Sequence, residues 1–414
     1  MKINAGALYL SITIALIIGV ICSSLIVVSF YFKLYYLQAQ RQQRLEDHIY
    51  AGILISLHQP LLIDTLQYID LYGDQTDSIL IQNQQWGIFK LIKLQSHIQT
   101  DTLRKPYLLG NEPGKDQIAI YLSDEDRPLS ISQEARIIGT AILPKSGIKP
   151  SYVEGKPYTG KQLVYGSIKE SEKQLPSLQK KWIELLNANF QKFSYTSASS
   201  FDNNSSRSFQ KETIYLSTHE PITLSNHLIG NIVITSDTTV YITSDAKLED
   251  IQVYAREIRV AAGFTGSLQL FARDSIVVEK EATFSYPSCL GIIRDETSQS
   301  NPQPIITLGE NVNFSGIIFS YETNRTPLQT LISIGKNNVI KGEVYAEGTI
   351  KFAENVNIFG KISCNKLLMQ LKSTVYENFL VSAKINSMER SSYYLSSFLF
   401  TSNTNSQKVL KWLN

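Results

Sequence analysis

LGENVNFSGIIF (308–319), IGKNNVIKGEVY (334–345) and FAENVNIFGKIS (352–363) align without a gap. Gly316, Gly342 and Gly360 occupy one column, and Asn311, Asn337 and Asn355 another. The second and third stretches lie 18 residues apart, the first and second 26, and the extra eight fall near YETNRTPLQ (321–329). Within the block Ile334, Ile340, Ala346, Phe352, Ile358 and Cys364 recur every six residues. Val344, Ile350, Val356 and Ile362 form a second apolar column, each two residues before the next hexad begins. Alternate residues of an extended strand point to one side. An apolar pair at i and i−2 every six residues therefore reads as a short strand with one buried face, followed by a corner. Period six with alternation does not fit a 3.6-residue helix. Gly and Asn suit the corner because they accept backbone conformations that other residues resist.

The same spacing extends upstream. In IRVAAGFTGSLQLFARDSIVVEKEATFS (258–285), Ile258, Phe264, Leu270, Ile276 and Ala282 fall six apart, continuing Ile222, Leu228, Ile234, Val240 and Ala246; only Gln252 breaks the series. Four coils are anchored at Gly230, Leu248, Gly266 and Phe284. Three sides of six residues make one 18-residue coil, and coils stack about 4.8 Å apart through backbone hydrogen bonds. The expectation is a mainly β chain: a parallel β-helix over 213–374, right-handed, in which no coil can bury its core alone. Ile258, Ile276, Ile334 and Phe352 point inward. The Asn column is either a stacked amide ladder or a row of solvated turn residues. Weaker copies at Ile131, Ile137 and Gly139, and at Tyr158, Val164 and Gly166, place partial coils in 128–212 ahead of the array. They are interrupted by a helix near 171–190, with Leu175, Leu178, Trp182, Leu185 and Leu186 on one side, and by a Ser/Asn-rich loop at 194–208. The aromatic-rich segment 375–414 breaks the hexad and is expected to cap the last coil, as a strand pair or as a helix and a strand, since array ends expose unpaired strand edges.

Residues 5–32 carry no charge, and about 20 apolar residues span a bilayer. Gly19-Val20-Ile21 before Cys22 is a poor lipoprotein site, so the segment reads as an uncleaved transmembrane helix. Leu45, Ile49, Ile53 and Leu57 continue it as an amphipathic stalk to Pro60, giving an anchor at 1–60. A small β-rich neck follows at 61–127. Lys33, Arg41 and Arg44 outnumber Lys2, which by literal charge count favours a cytoplasmic body.

A short tail, one helix running into a stalk, and a β-rich body resemble the pilin-like proteins of type IV pilus and type II secretion machines. That resemblance implies an inner-membrane, single-pass protein with an extracytoplasmic body. Such pilins carry a Gly before the cleavage point and a Glu five residues after it; here Gly6 is followed at that distance by Ser11. The array over 222–371 resembles the bactofilin-like polymer-forming proteins, which implies self-association and no catalysis. Its hexads also resemble those of left-handed β-helix acyltransferases, which implies a His general base acting on acyl-CoA chemistry. Only His219, beside Glu220, and His227 lie in or near the array, and both read as turn residues.

The balanced charge, +2 overall, argues against a nucleic-acid partner. Cys22, Cys289 and Cys364 are too few for a disulfide framework and read as unpaired thiols. The acidic runs at 124–127 and 248–250 read as solvated turns. No catalytic residue, cofactor site or metal site is expected. Two interruptions, 286–304 and 321–329, are expected to leave one region of the array and to carry partner binding. Leu290, Ile292 and Ile293 in the first either tuck over the core or form a contact patch. The function expected is a non-enzymatic, membrane-anchored envelope scaffold that assembles with other proteins of a pilus-like or secretion machine. The alternative is a hexapeptide-repeat acyltransferase acting on a sugar.

Overall fold

One α-helix, Ala5–His58, opens the chain. The computed structural model describes residues 5–59, 63–71, 73, 77–114, 116–191, 204–294, 303–324, 328–371, 374–401 and 406–414. It divides into two compact units, 1–82 with 93–105 and 83–92 with 106–414. In the first unit an 18-residue stretch of the helix has a mean hydropathy of 2.7 with none of it buried, and the helix is long and apolar enough to cross a membrane. Leu45, Ile49 and Ile53 are buried, on the face that the spacing marks. Gly52 lets this face approach the small sheet. A Cβ there would lie 3.2 Å from Ile79 and Leu94 side-chain atoms. Arg41 pairs with Asp101 at 3.2 Å.

The second unit is mainly β, a parallel sheet closed on itself like a barrel. Its strands pair at the repeat distance: Val240 with Ile258, Ile258 with Ile276, and Ile340 with Ile358. Where the sequence adds residues the pairing jumps, as from Ile276 to Ile306 and from there to Ile332. Ile258, Ile276, Ile334 and Phe352 are all buried. Each such side chain contributes about 1.5–3 kcal/mol by leaving water, so the interior columns dominate the unit's stability.

Two register details differ from the 18-residue count. Leu248 pairs with Leu228 and not with Gly230, which instead lies against Arg207. Asp250, at φ +57°, then adds one residue to its strand as a bulge. The bulge shifts the column by one, so that Val253 and not Gln252 stands between Ile234 and Leu270. The break at Gln252 is therefore a displaced core position with an intact column.

The corners account for the Gly and Asn columns. Asn311, Asn337 and Asn355 all sit in the left-handed region, at φ 57°, 57° and 60°. Each side-chain amide donates to the preceding one: Asn337 Nδ2 to Asn311 Oδ1 and Asn355 Nδ2 to Asn337 Oδ1, both at 3.3 Å. The amides form a ladder, and their exposure makes it a minor source of stability. Gly316, Gly342 and Gly360 are packed backbone on backbone, and a Cβ at Gly342 would fall 1.9 Å from the Gly316 carbonyl oxygen.

The segment expected to lead into the array lies against its other end. Ile118–Leu122 pairs with Ile362–Cys364 of the last long strand. Phe379–Val381 and Lys384–Asn386 pair with Leu129–Ser132 and Arg136–Ile138. One level of the stack is thus built from two distant pieces, 379–386 and 118–122. At their meeting point the Ser387 hydroxyl donates to the Gln117 carbonyl at 2.8 Å. The following level is Leu129–Leu143, and Ile168–Glu170 pairs beyond it on Ala141–Leu143. The left-handed corner also persists across the join, at Ser382 and Gln133, whose side chains share a hydrogen bond of 2.8 Å.

Several finer expectations are corrected. The helix is Lys180–Asn189, nine residues shorter at its start than expected, because Pro176 disfavours helical geometry just before it. Trp182, Ile183 and Leu186 are its buried residues. The tail has no helix among its described residues. Val375–Glu377 folds back antiparallel on Leu368–Gln370, and Gln407–Trp412 pairs antiparallel with residues 107–111. Residues 286–294 are not an insertion. They belong to strand Thr283–Arg294, in which Leu290, Ile292 and Ile293 are buried, so they form no contact patch. Of the rest of that interruption, 295–304, residues 295–302 lie outside the described residues, as does most of the 194–208 loop. Both interruptions of the array open at one corner, since Arg294 pairs with Glu322 and Ile305 with Leu331.

Candidate functional site

The interior is closed by apolar side chains, so any chemistry lies on the outside of the sheet. Ser315, Lys341 and Phe359 are successive partners in one outward column, and Ile317, Glu343 and Lys361 in the next but one. The tail after Asn386 is strapped across them. Tyr286 OH donates to the Leu395 carbonyl at 2.7 Å and accepts from the Leu395 amide at 3.2 Å. Ser396 and Asn111 exchange backbone hydrogen bonds at 2.7 and 2.8 Å.

Under this strap Glu343 and Arg390 form an ion pair at 3.8 Å, with side-chain exposures of 8% and 13%. Ser396 Oγ donates to the second Glu343 oxygen at 3.2 Å. The Arg390 guanidinium also lies 5.3 Å from the centre of the Tyr394 ring. Burial pushes the Tyr394 phenol well up, and the Glu343 charge adds to the shift. Burial likewise raises Tyr286. Both phenols stay neutral at physiological pH; Tyr286 acts through the hydrogen bonds of its hydroxyl and Tyr394 through its ring. Arg390 separates two cavities. One, of about 580 Å³, is walled by Tyr286, Lys341, Phe359, Glu389, Tyr393 and Tyr394. The other, of about 340 Å³, includes Glu112, Asp116, Glu343 and Lys361.

A third cavity, of about 240 Å³, holds Glu322, Glu347 and Tyr345. Its groups are engaged in structure. Glu322 accepts from the Thr330 amide and hydroxyl, and Tyr345 OH donates to the Pro176 carbonyl at 3.0 Å.

The two histidines fall differently. His219 Nδ1 lies 2.6 Å from Asp237 Oδ2, the residue 18 positions on, not from its sequence neighbour Glu220. Both side chains are about half exposed, at 55% and 47%. The pair stands on open surface and lines none of the three cavities. His227 is exposed on strand His227–Gly230.

The acidic runs serve the fold. Glu125 pairs with Lys366 at 3.4 Å, Arg127 with Glu377 at 2.8 Å and Asp250 with Lys411 at 2.7 Å. Cys289 and Cys364 are buried and free, and burial raises both thiols. Among the described residues no group of His, Cys, Asp and Glu is placed to hold a metal. Sequence reading missed Glu343 and Arg390. The one available signal was a charged pair, Glu389-Arg390, set in an aromatic-rich tail.

No family model matches the chain, and no curated protein matches it. Among solved structures, the crystal structure of competence-associated pilin ComZ from Thermus thermophilus is similar at 10% identity. The match covers 85% of this chain and 86% of that one, with a TM-score of 0.25.

Proposed function

We propose that this chain is a non-enzymatic, membrane-anchored scaffold of the cell envelope, and that its closed parallel sheet is a β-helix of 18-residue coils. The observation that carries the reading is the single helix Ala5–His58. Its first half is apolar and exposed, and its last turns bury Leu45, Ile49 and Ile53 against the small sheet. An exposed apolar helix is stable only in a lipid or protein environment of matching polarity. Its packed turns lie on the small sheet of the same unit, so the helix runs on past its apolar half as a stalk. The parallel pairing at the repeat distance and the buried hexad positions support the β-helix.

The body faces the extracytoplasmic side. The chain works as a pilin-like component of a pilus or secretion-type assembly, binding other proteins of that machine. The architecture of helix, stalk and β body supports this role. The acyltransferase alternative gains one observation, the His219–Asp237 pair, and loses by its setting. A general base works in a site that holds its substrate, and this pair is open to solvent.

The test is fractionation. Full-length protein should stay in the membrane pellet through alkaline carbonate extraction, and a chain lacking 5–32 should be soluble and folded. A truncated chain that remained in the pellet would contradict an anchor in the helix.

A further inference from the structure

We propose that the cavity of about 580 Å³ beside Arg390 binds an acidic saccharide of one or two rings. The volume lies within the range of small-ligand sites, roughly 300–1,000 Å³. Its walls are amphipathic. Phe359, Tyr286, Tyr393 and Tyr394 line it, with the Lys384 ammonium 5.5 Å from the centre of the Phe359 ring, and Ser315 and Ser391 line it as well. A pyranose has the complementary make-up, with an apolar C–H face that stacks on an aromatic ring and a hydroxyl edge that exchanges hydrogen bonds.

The walls are also fixed in advance. Tyr286 is held at its hydroxyl by both backbone groups of Leu395. Its ring lies 5.5 Å from that of Tyr394, which in turn underlies Arg390. Little ordering is left to be done on binding, which favours affinity. Tyr393, 89% exposed, stands at the rim, where a large ring facing water is otherwise unaccounted for.

The acidic requirement follows from charge pairing at the cavity. Arg390 is matched by Glu343, and Glu389 by Lys384 at 3.1 Å. Lys341 is exposed and makes no ion pair among the described residues. It is the uncompensated charge of the lining, placed beside Phe359, its partner on the next strand. A ring on the aromatic wall with a carboxylate toward Lys341 satisfies both features. A neutral sugar leaves the lysine unmatched.

The experiment uses the full chain in detergent. The probe is a disaccharide of glucuronic acid and N-acetylglucosamine, compared with uncharged diacetylchitobiose and with an acidic tripeptide. Binding is followed by saturation-transfer NMR and by tyrosine fluorescence. The acidic disaccharide should bind saturably and at least fivefold more tightly than the neutral one. Lys341→Gln should remove that preference, Tyr393→Ala should weaken both sugars, and Lys280→Gln, on another part of the array, should change neither. No saturable binding of the acidic disaccharide overturns the proposal, as does equal affinity for both sugars. Tighter binding of the tripeptide, or an unaltered preference in Lys341→Gln, overturns it too. Fractionation results do not bear on these outcomes, so the anchor and the saccharide site fail independently.

Discussion

Replacing Gly342 with alanine tests the stacking of the repeat at its tightest point. The new Cβ would lie 1.9 Å from the Gly316 carbonyl oxygen and 2.9 Å from the Gly316 carbonyl carbon. An ordinary contact needs about 3.4 Å, so the two backbones must separate by more than 1 Å. The obstacle is the ladder itself, and no flexible side chain can yield. The backbone at φ +143° adds a strain of about 1–3 kcal/mol for any residue with a Cβ. Losing one or two ladder hydrogen bonds adds about 0.5–1.5 kcal/mol each. The sum is about 1.5–6 kcal/mol. Gly263 is the control within the same array, at φ +75° but with no atom within 4 Å of an added Cβ. Gly263→Ala should cost only the left-handed backbone, about 1–2 kcal/mol. Urea denaturation of the two variants and the wild-type chain, read as midpoint shifts at constant slope, gives the comparison. Equal costs for the two substitutions would refute close backbone stacking along the Gly316–Gly342–Gly360 column.

Ile334→Ala empties a fully buried column position and should destabilise by about 2–5 kcal/mol in the same urea assay. Lys90 lies 4.2 Å from the Phe398 ring centre, and burial, with the Lys181 charge second, brings its pKa down to about 8. The unfolded chain holds that proton up to about 10.4, so the unfolded state binds more protons between pH 8 and that value, and stability rises with pH across this window. Below pH 8 both states are charged and the folded state bears the whole penalty. Lys90→Met should therefore stabilise at pH 7 by about 1–3 kcal/mol, with the advantage over wild type shrinking toward pH 10; a constant difference would contradict the burial of a charged amine. Asn337→Ala should cost about 1–2 kcal/mol for its left-handed backbone, and Asn337→Gly should recover most of it, because the exposed amide ladder contributes only tenths of a kcal/mol.

What was legible in the sequence was what repeats. The hexad placed Ile258, Ile276, Ile334 and Phe352 in the core because every level of the sheet imposes the same inward spacing. The alignment of Asn311, Asn337 and Asn355 located a corner that needs left-handed backbone. Local spacing also marked Leu45, Ile49 and Ile53 as the buried face of the helix. What was not legible was long-range order. The weak copies at Ile131 and Ile137 carry the right spacing, but spacing says nothing about which end of the stack they join. They join the far end, through pairings of Ile362 with Ile120 and Ile385 with Ile137. Bulges are equally silent: one extra residue at Asp250 made Gln252 look like a break, and two near Pro287 made a strand look like a loop. The site beside Arg390 escaped because it is assembled from an outward column and a tail strapped over it. Neither element shows a motif by itself. His219 met a carboxylate one repeat away, at Asp237, a partner that appears only once the repeat is wound.

A helix that crosses the membrane and a β body held outside the cytoplasm are the centre of the proposed function. The most direct measurement places a single reactive thiol on the body. Tyr152→Cys in a Cys22→Ser background puts it at a position 69% exposed, while Cys289 and Cys364 are fully buried. Spheroplasts are treated with a membrane-impermeant maleimide before and after the inner membrane is permeabilised. An extracytoplasmic body predicts full labelling before permeabilisation. Protection until the membrane is opened would place the body in the cytoplasm and contradict that orientation.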